Sequence, residues 1–381
     1  MSATSTSIGD LVSAGALEFG DGYRTRRSEH GRPGFRIIRV ADVFDNEVHF
    51  DGPDFVSHTQ ANAIGSKVGK TGDILLTTKG TVGRVAVLPP TEEAVVYSPQ
   101  LCYFRVLDHA RVKPRFLRYW FSSHEFWDQA SYRMNNTDMA AYINMADIRS
   151  LKISLPRPSV QQGIAEVLGA LDDKIAVNTS LSSTCIKLAE AKYQRLLTTP
   201  TSHVTLRDIL RLEYGKSLAA TKRIAGHVDV YGSGGIVGTH NEPLLSGPGV
   251  IVGRKGTAGS VHWAPKAYYP IDTTYYVVPA DQNASLAFCF FLLKSLRLNE
   301  MNSDSAVPGL NREEALSTQV RMPSAPEIRT FTLSVERQFS LVDQLGRESN
   351  TLMKIRDTLL PKLMSGKLRV KDAEALVESV V

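Results

Sequence analysis

Hydrophobic residues follow a helical repeat over two long stretches of the chain. In residues 159–197 this repeat alternates spacings of four and three, through Ile164, Leu168, Leu171, Ile175, Asn178, Ser182, Cys185 and Ala189. A second stretch repeats the periodicity with Ile328, Phe331, Val335, Val342, Leu345, Leu352 and Leu359. Such spacing is typical of long helices that pack along another helix.

We expect these two helices to pack antiparallel to each other and to hold two globular units at opposite ends of a rod. The helix over 159–197 would span roughly 58 Å at about 1.5 Å per residue. Leu181 and Leu188 would widen its apolar stripe. Asn178 lies on the stripe, either as a polar residue that sets the helix register or as an asparagine tolerated near solvent.

Short β-type runs occupy the rest of the chain, and their order occurs twice. Residues 72–88 (GDILLTTKGTVGRVAVL) and 247–263 (GPGVIVGRKGTAGSVHW) each contain a β-type run, a Lys-Gly-Thr-x-Gly segment and another β-type run. The entry segments SIGDLV and TLRDIL also correspond, as do the closing segments 143–156 and 310–323. Matches in one order indicate two diverged copies of one domain.

We therefore predict a mixed α/β (α+β) protein with two similar domains and two long antiparallel, coiled-coil-like spacer helices. The sheets should be twisted and largely antiparallel, because the β-type runs are short and are linked by Gly and Pro turns. The predicted boundaries are 1–156 for the first domain, 157–200 for the first spacer, 201–323 for the second domain and 324–381 for the second spacer.

The composition adds a basic charge to this picture. The formal net charge of +5 suits a nucleic-acid partner, because phosphate neutralisation needs Lys and Arg. A solvated basic surface explains the charge equally well. Cys102, Cys185 and Cys289 are far apart, so neither a disulfide framework nor a metal site is indicated, and a cytoplasmic, reduced protein with no membrane span is expected.

The motifs of catalysis are incomplete in this sequence. Residues 65–71 resemble a phosphate-binding loop but have three residues between the glycines where four are required. Neither Asn-Pro-Pro nor Asp-Pro-Pro occurs, although an amino-methyltransferase needs such a loop, and the histidines form no metal spacing. Asp172-Asp173-Lys174 lies on the predicted helix, where exposed charge pairs are routine. The sequence therefore predicts a protein that carries no catalytic site and positions other subunits, which carry out the chemistry.

The order of domain, helical spacer, domain and helical spacer resembles the specificity subunit of Type I restriction-modification systems. The resemblance covers essentially the whole chain and is carried by the segments GDILLTTKGTVG, VIVGRKGTAG, LDDKIAVN, ISLPRPSVQQGIAEVLGALDDKI and VRMPSAPEIRTFTLSVERQF. The second spacer departs from the family because it lacks the usual Gln-rich start.

The resemblance implies that both globular domains are DNA target-recognition domains and that this chain is not itself an enzyme. Its implied partners are double-stranded DNA and two adenine methyltransferase subunits that use S-adenosylmethionine. For restriction, two translocase-nuclease subunits that use ATP and Mg would join. No cofactor is implied for this chain.

The two Lys-Gly-Thr-x-Gly loops are the first candidates for DNA contact. Glycine permits close backbone approach, and threonine can donate to phosphate. The candidate residues are Lys79, Gly80, Thr81, Gly83 and Arg84 in the first loop, and Arg254, Lys255, Gly256, Thr257 and Gly259 in the second. The alternative is a hairpin turn whose glycines only provide a positive φ.

Basic stretches early in each domain are further candidates, because Arg can read guanine in the major groove. They contain Arg24, Arg26, Arg27, Arg32 and Arg36 in the first domain, and Lys216, Lys222 and Arg223 in the second. A mobile surface loop is the alternative for each stretch. Adenine could be read by Gln100, Asn135, Asn136 or Asn302.

Two different domains on a helical rod predict a bipartite, asymmetric DNA target with an unread gap of roughly 5–8 base pairs. Two other functions remain open from the sequence. One is a coiled-coil adaptor without enzymatic activity. The other is the specificity subunit of a phage-defence system that methylates but does not cut.

Overall fold

The computed structural model describes residues 4–134, 141–198, 201–301 and 309–378. The chain divides into two compact units. Unit 1 comprises Met1–Ile175 and Asn350–Val381, and unit 2 comprises Ala176–Ser349. Each unit therefore contains one copy of the repeated domain and a part of each long helix.

The helices of the described residues are α1 (Ile8–Ser13), α2 (Ala61–Ile64), α3 (Pro114–Trp120), α4 (His124–Arg133), α5 (Met145–Ser150), α6 (Pro158–Leu196), α7 (Leu206–Ile209), α8 (Leu286–Ser295), α9 (Arg312–Ser317), α10 (Ala325–Met364) and α11 (Val370–Glu378). The strands of the first domain are β1 (Thr4–Ser7), β2 (Leu17–Asp21), β3 (Gly34–Ile38), β4 (Val43–Phe44), β5 (Glu47–Val48), β6 (Phe55–Ser57), β7 (Ile74–Thr77), β8 (Val85–Val87), β9 (Val95–Tyr97), β10 (Leu101–Val106) and β11 (Lys152–Leu155). Those of the second are β12 (Thr201–Thr205), β13 (Leu210–Tyr214), β14 (Val228–Gly232), β15 (Gly235–His240), β16 (Gly249–Gly253), β17 (Val261–Ala264), β18 (Tyr268–Pro270), β19 (Thr274–Pro279) and β20 (Gln319–Pro323).

Three sheets have the same strand order in both domains. In unit 1 the orders are β2-β10-β7-β8, β6-β3-β9 and β1-β11, and in unit 2 they are β13-β19-β16-β17, β15-β14-β18 and β12-β20. Unit 1 also contains the two-stranded sheet β4-β5. Pairing is antiparallel except between β3 and β9 and between β14 and β18, which are parallel. The prediction of two similar mixed domains with largely antiparallel sheets is confirmed.

The short helix that follows the first strand has the same cap in each domain. In unit 1, Ser7 and Asp10 form a capping box in which the Asp10 amide donates to Ser7 Oγ at 3.0 Å. In unit 2, Thr205 and Asp208 form the equivalent box. In both copies Ser or Thr is followed three residues later by an acidic residue, which is the local sequence signal for the N-terminus of a helix.

The long helices α6 and α10 run antiparallel to each other within each unit. In unit 2, Asn178 is hydrogen-bonded to Glu348 and Lys192 to Ser334. Later residues of α6 therefore contact earlier residues of α10, as expected of antiparallel helices. In unit 1, Arg356 of α10 bonds to Asp172 of α6. The predicted pair of long antiparallel helices is confirmed.

Most residues of the predicted helix seam lie in the interior. The buried members are Ile164, Leu168, Leu171, Asn178, Cys185, Val335, Leu345 and Leu352. Ile175 and Val342 are half-buried. Leu181 and Leu188, which were expected to widen the stripe, remain 41% and 49% exposed.

The second helical segment contains a break that the periodicity did not indicate. Gly366 has a φ of 71°, and its amide donates to Leu363 O at 3.1 Å, which ends α10 as glycine commonly does. The chain then forms α11, whose Ala373 and Val377 are buried in the core of unit 1. The segment after residue 324 is therefore two helices.

Candidate nucleic-acid interface

Two of the predicted segments leave the main sheet of unit 1 at the same end. β2 and β7 both run antiparallel to β10, and their last residues, Asp21 and Thr77, lie opposite Cys102 and Leu101 at the start of β10. The basic stretch after β2 and the Lys-Gly-Thr loop after β7 therefore begin at the same end of the sheet, on either side of β10. We call this end of the sheet edge 1.

Unit 2 brings together the equivalent segments. Tyr214, the last residue of β13, lies opposite Tyr275, and Gly253, the last residue of β16, lies opposite Thr274. The amide of Lys216 donates to Pro270 O at 3.0 Å, which starts the second basic stretch beside β18. We call this end of the sheet edge 2.

Equivalent backbone hydrogen bonds fix the bases of the two Lys-Gly-Thr loops. At edge 1 the Thr78 amide donates to Gln100 O at 2.9 Å, and at edge 2 the Arg254 amide donates to Thr273 O at 2.9 Å. Thr78 O also accepts from the Ile143 amide at 3.0 Å, as Arg254 O accepts from Leu310 at 2.9 Å. Equivalent backbone hydrogen bonds therefore hold the bases of both loops.

The glycines of these loops fall into two structural classes. All four have a positive φ, between 78° and 100°. A side chain at Gly83 would enter the indole ring of Trp127, and one at Gly259 would meet the backbone of Leu298 and Asn299. At Gly80 and Gly256 an added Cβ would have no atom of the described residues within 4 Å. Gly83 and Gly259 therefore serve packing, whereas Gly80 and Gly256 have no packing neighbour in the part of the chain that the structure describes.

The side chains beside the open glycines are exposed. They are Lys79 and Thr81 at edge 1, and Lys255 and Thr257 at edge 2. Gln100, whose carbonyl holds the base of the first loop, is also exposed. Each edge therefore presents a cation and a hydroxyl next to backbone that is accessible.

The arginines next to these loops are partly buried and already donate within the protein. Arg84 donates from Nη1 to Val43 O at 3.2 Å, and its guanidinium lies 5.1 Å from the ring centre of Phe44. Arg254 donates to Asp272 O at 2.9 Å and lies over the ring of Tyr214. These contacts hold the two guanidinium groups at the loop bases.

The arginines of the first basic stretch differ in their availability. Arg24, Arg26, Arg27 and Arg32 are exposed, and Arg32 lies over the ring of Phe55 at 3.9 Å from its centre. Arg36 instead forms a two-point ion pair with Glu93 and donates to Gly52 O at 2.6 Å. Its bond to Glu93 raises the pKa of Arg36, so this guanidinium is committed to the fold.

The second basic stretch shows a similar division. Lys216 and Lys222 are exposed. Arg223 is half-buried and donates from Nη1 to Val237 O at 2.7 Å, which ties the stretch to β15. The candidate adenine readers Asn135, Asn136 and Asn302 lie outside the described residues.

The Asp172-Asp173 pair has a structural environment that corrects the expectation of two exposed charges. Asp172 accepts from Tyr119 OH at 2.6 Å and from Arg356 Nη1 at 2.8 Å, with Arg118 Nη1 at 3.8 Å. Burial lowers the pKa of Arg118, and the Asp172 carboxylate opposes that effect. Only Asp173, which pairs with Arg115, is exposed. Asp172 thus links α6 to α3 and α10. The sequence did not predict this, because a pattern of charges along a helix does not reveal which face another helix covers.

The described residues contain no group of His, Cys, Asp and Glu side chains arranged to hold a metal ion. Over the same residues, no helix is both long and apolar enough to cross a membrane.

A family model described as the Type I restriction modification DNA specificity domain matches residues 17–184 and 201–356. The chain belongs to this family. The two matches fall on the two copies of the repeated domain, one for each edge. The specificity subunit thus recognises a DNA target as part of a Type I restriction-modification system.

The chain is also similar to individual proteins. The specificity subunit is 22% identical over 325 residues to the Type I restriction enzyme EcoprrI specificity subunit of Escherichia coli, which covers 76% of this chain and 75% of that protein. It is similar to the solved S subunit of a Type I system from M. genitalium, with a TM-score of 0.60, 19% identity, and coverage of 94% of this chain and 95% of that one. The HsdS subunit from Thermoanaerobacter tengcongensis aligns over 96% of this chain and 97% of its own, with 14% identity and a TM-score of 0.39. The likeness to the M. genitalium protein shows the shared fold.

Sequence reasoning missed two aromatic residues at the edges of the specificity subunit. Trp127 lies under Gly83, and no local pattern connects positions so far apart in the chain. The ring of Tyr214 has two guanidinium groups close to it, those of Arg254 and Arg312, at 4.9 and 5.6 Å from its centre. The signal for Tyr214 was its place directly before Gly215-Lys216, where the second basic stretch begins.

Proposed function

We propose that this specificity subunit reads a bipartite, asymmetric DNA target, with one half-site at edge 1 and the other at edge 2. The observation that carries the proposal is the duplicated loop geometry. Each edge presents an open glycine with a positive φ between an exposed Lys and an exposed Thr. Lys neutralises phosphate charge, and accessible backbone allows close approach to the duplex.

The loops and the basic stretches would have different tasks. Because Lys79 with Thr81 and Lys255 with Thr257 are identical pairs, they suit phosphates, which are the same in every sequence. The stretches that differ between the domains suit bases. In the first half-site, the exposed Arg24, Arg26, Arg27 and Arg32 are the proposed readers of guanine, and Gln100 is the proposed reader of adenine.

Chemistry in this proposal belongs to the partners. Two methyltransferase subunits would bring S-adenosylmethionine and modify adenine at positions that this chain selects. Where restriction also occurs, two translocase-nuclease subunits would bring ATP and Mg. This chain would contribute no catalytic residue, and its loops would supply the cations and hydroxyls that hold the DNA.

The test is co-expression with a Type I methyltransferase subunit that associates with this chain, followed by genome-wide mapping of methylated adenines. A split motif that appears only when this chain is present is the expected result. An associated, folded complex that produces no motif and binds DNA without salt dependence would contradict the proposal. That outcome would instead favour the coiled-coil adaptor.

A further inference from the structure

A two-stranded ribbon lies beside edge 2. β14 and β15 pair antiparallel with Gly232 opposite Gly235, so Ser233 and Gly234 form a two-residue turn. In unit 1 the strands in the same sheet positions, β3 and β6, are joined instead by residues 39–54, which include β4 and β5. The ribbon is therefore a feature in which the two domains differ.

The tip of the ribbon is fastened to the second Lys-Gly-Thr loop. Ser233 Oγ donates to the carbonyl of Lys255 and also to Thr273 O at 3.1 Å. His262 Nε2 lies 3.0 Å from Ser233 O. A Cβ placed on Gly234 would lie 3.6 Å from Thr257 Oγ1, so the tip and the loop are in contact. A ligand that reaches Thr257 therefore also meets the ribbon.

The ribbon presents apolar side chains to solvent on an outer strand. β15 is the first strand in the order β15-β14-β18. Its Ile236 is 58% exposed and its Val237 is 45% exposed. Exposed β-branched residues on an edge strand favour strand-to-strand aggregation, and proteins normally avoid them there. A ligand with an apolar group would cover them.

The charges around the ribbon point to the kind of ligand. Exposed lysines belong to the two segments tied to the ribbon: Lys216 and Lys222 are in the basic stretch that Arg223 joins to the carbonyl of Val237, and Lys255 is in the loop fastened to the tip. A polyanion is therefore the complementary partner. The major groove of DNA admits a two-stranded ribbon, and the 5-methyl group of thymine is the apolar group that bases present there.

We propose that the β14–β15 ribbon enters the major groove of the second half-site and that Ile236 and Val237 contact the 5-methyl group of a thymine. This inference rests on the proposed function, because it assigns a base to a half-site of that target. It also gives the two half-sites different chemistry, since the proposed guanine readers of the first half-site are arginines of the first basic stretch.

The experiment uses the complex with the methyltransferase subunit and a duplex that carries the mapped motif. Each thymine of the motif is replaced in turn by deoxyuridine, which lacks only the methyl group, and affinity is measured. One replacement should weaken binding by the wild-type complex about fourfold, the value for losing burial of one methyl-sized group. In the Ile236→Ala or the Val237→Ala variant, the same replacement should have less than a twofold effect.

Two control variants separate the contact from general damage. Ile236→Val keeps a branched apolar side chain and should keep the deoxyuridine effect. Leu107→Ala removes a side chain that is 54% exposed in the first domain and should also leave the effect unchanged.

The outcomes distinguish this proposal from the one on which it rests. A complex that reads no motif overturns both. A mapped motif that tolerates deoxyuridine at every thymine, or whose sensitivity persists in both alanine variants, overturns only the thymine contact. Loss of methyltransferase association in the alanine variants, with an unchanged deoxyuridine effect, would assign the ribbon to protein contact and also overturn it.

Discussion

Asn178 donates a hydrogen bond from Nδ2 to Oε2 of Glu348 at 3.1 Å, joining α6 to α10 within unit 2. The Asn178 residue is only 3% exposed. Tolerance of an asparagine near solvent therefore does not explain this position. A buried amide with a specific partner on the facing helix favours the other alternative, in which the polar residue sets the register of the pair.

Asn178→Leu should lower the free energy of unfolding by about 1–3 kcal/mol, because it removes the amide from which a half-buried carboxylate accepts. The double variant Asn178→Leu/Glu348→Leu should recover most of this loss, since replacing both partners with apolar groups is nearly neutral. Thermal unfolding of the three proteins measures both effects. Equal losses in the single and double variants would show that the cost of Asn178→Leu does not come from separating the amide from the Glu348 carboxylate.

Neighbouring carboxylates on α6 provide a matched pair of substitutions. Asp172→Asn should destabilise the protein by about 3 kcal/mol, because it leaves the mostly buried Arg118 and Arg356 without their shared anion. Asp173→Asn, which affects an exposed ion pair with Arg115, should cost less than about 1 kcal/mol. Chemical denaturation of both variants makes the comparison. Similar losses would refute the role of Asp172 as the link between α3 and α10.

Lys79→Ala and Lys255→Ala should each weaken DNA binding without changing the methylation motif. Each substitution should also reduce the slope of log affinity against log salt concentration by about 0.9, the value for one phosphate contact. Lys187→Ala, an exposed lysine on α6, is the control and should change neither quantity. A changed motif in either loop variant would mean that the lysine reads a base.

Gly80 and Gly83 differ in surroundings although both have a positive φ. Gly80→Ala should cost about 1–2 kcal/mol of stability from backbone strain alone. Gly83→Ala should cost about 1–3 kcal/mol more, because the new methyl group enters the ring of Trp127. Unfolding measurements test the order of the two losses. A reversed order would contradict the division of these glycines into packing and open positions.

The length of the helical spacer provides a test of the split target. Inserting one helical turn into the 159–197 segment and the matching turn into α10 should widen the unread gap, which we expect to be roughly 5–8 base pairs in the native protein. Both half-sites should stay unchanged. Mapping of methylated adenines in cells with the variant determines both the gap and the half-sites. An unchanged gap with altered half-sites would refute the prediction.

Local signals were sufficient for much of the fold. The four-and-three spacing predicted both long helices, and the repeated Lys-Gly-Thr segments located both loops, since each pattern lies within a few residues. The partners of individual side chains were not predictable in this way. Arg36 looked like a free base reader, but its ion-pair partner Glu93 is 57 residues away. Likewise, no local pattern indicated that Trp127 would pack under Gly83.

The composition of unit 1 from two separate parts of the chain has a consequence for synthesis on the ribosome. Its core joins Ile8 and Leu17 to Leu359, Leu363 and Val377 from the other end of the sequence. Unit 2 is contiguous, over Ala176–Ser349. A nascent chain therefore holds everything that unit 2 requires before the first domain has received its last helices. The domain that is translated first is the one whose core is completed last.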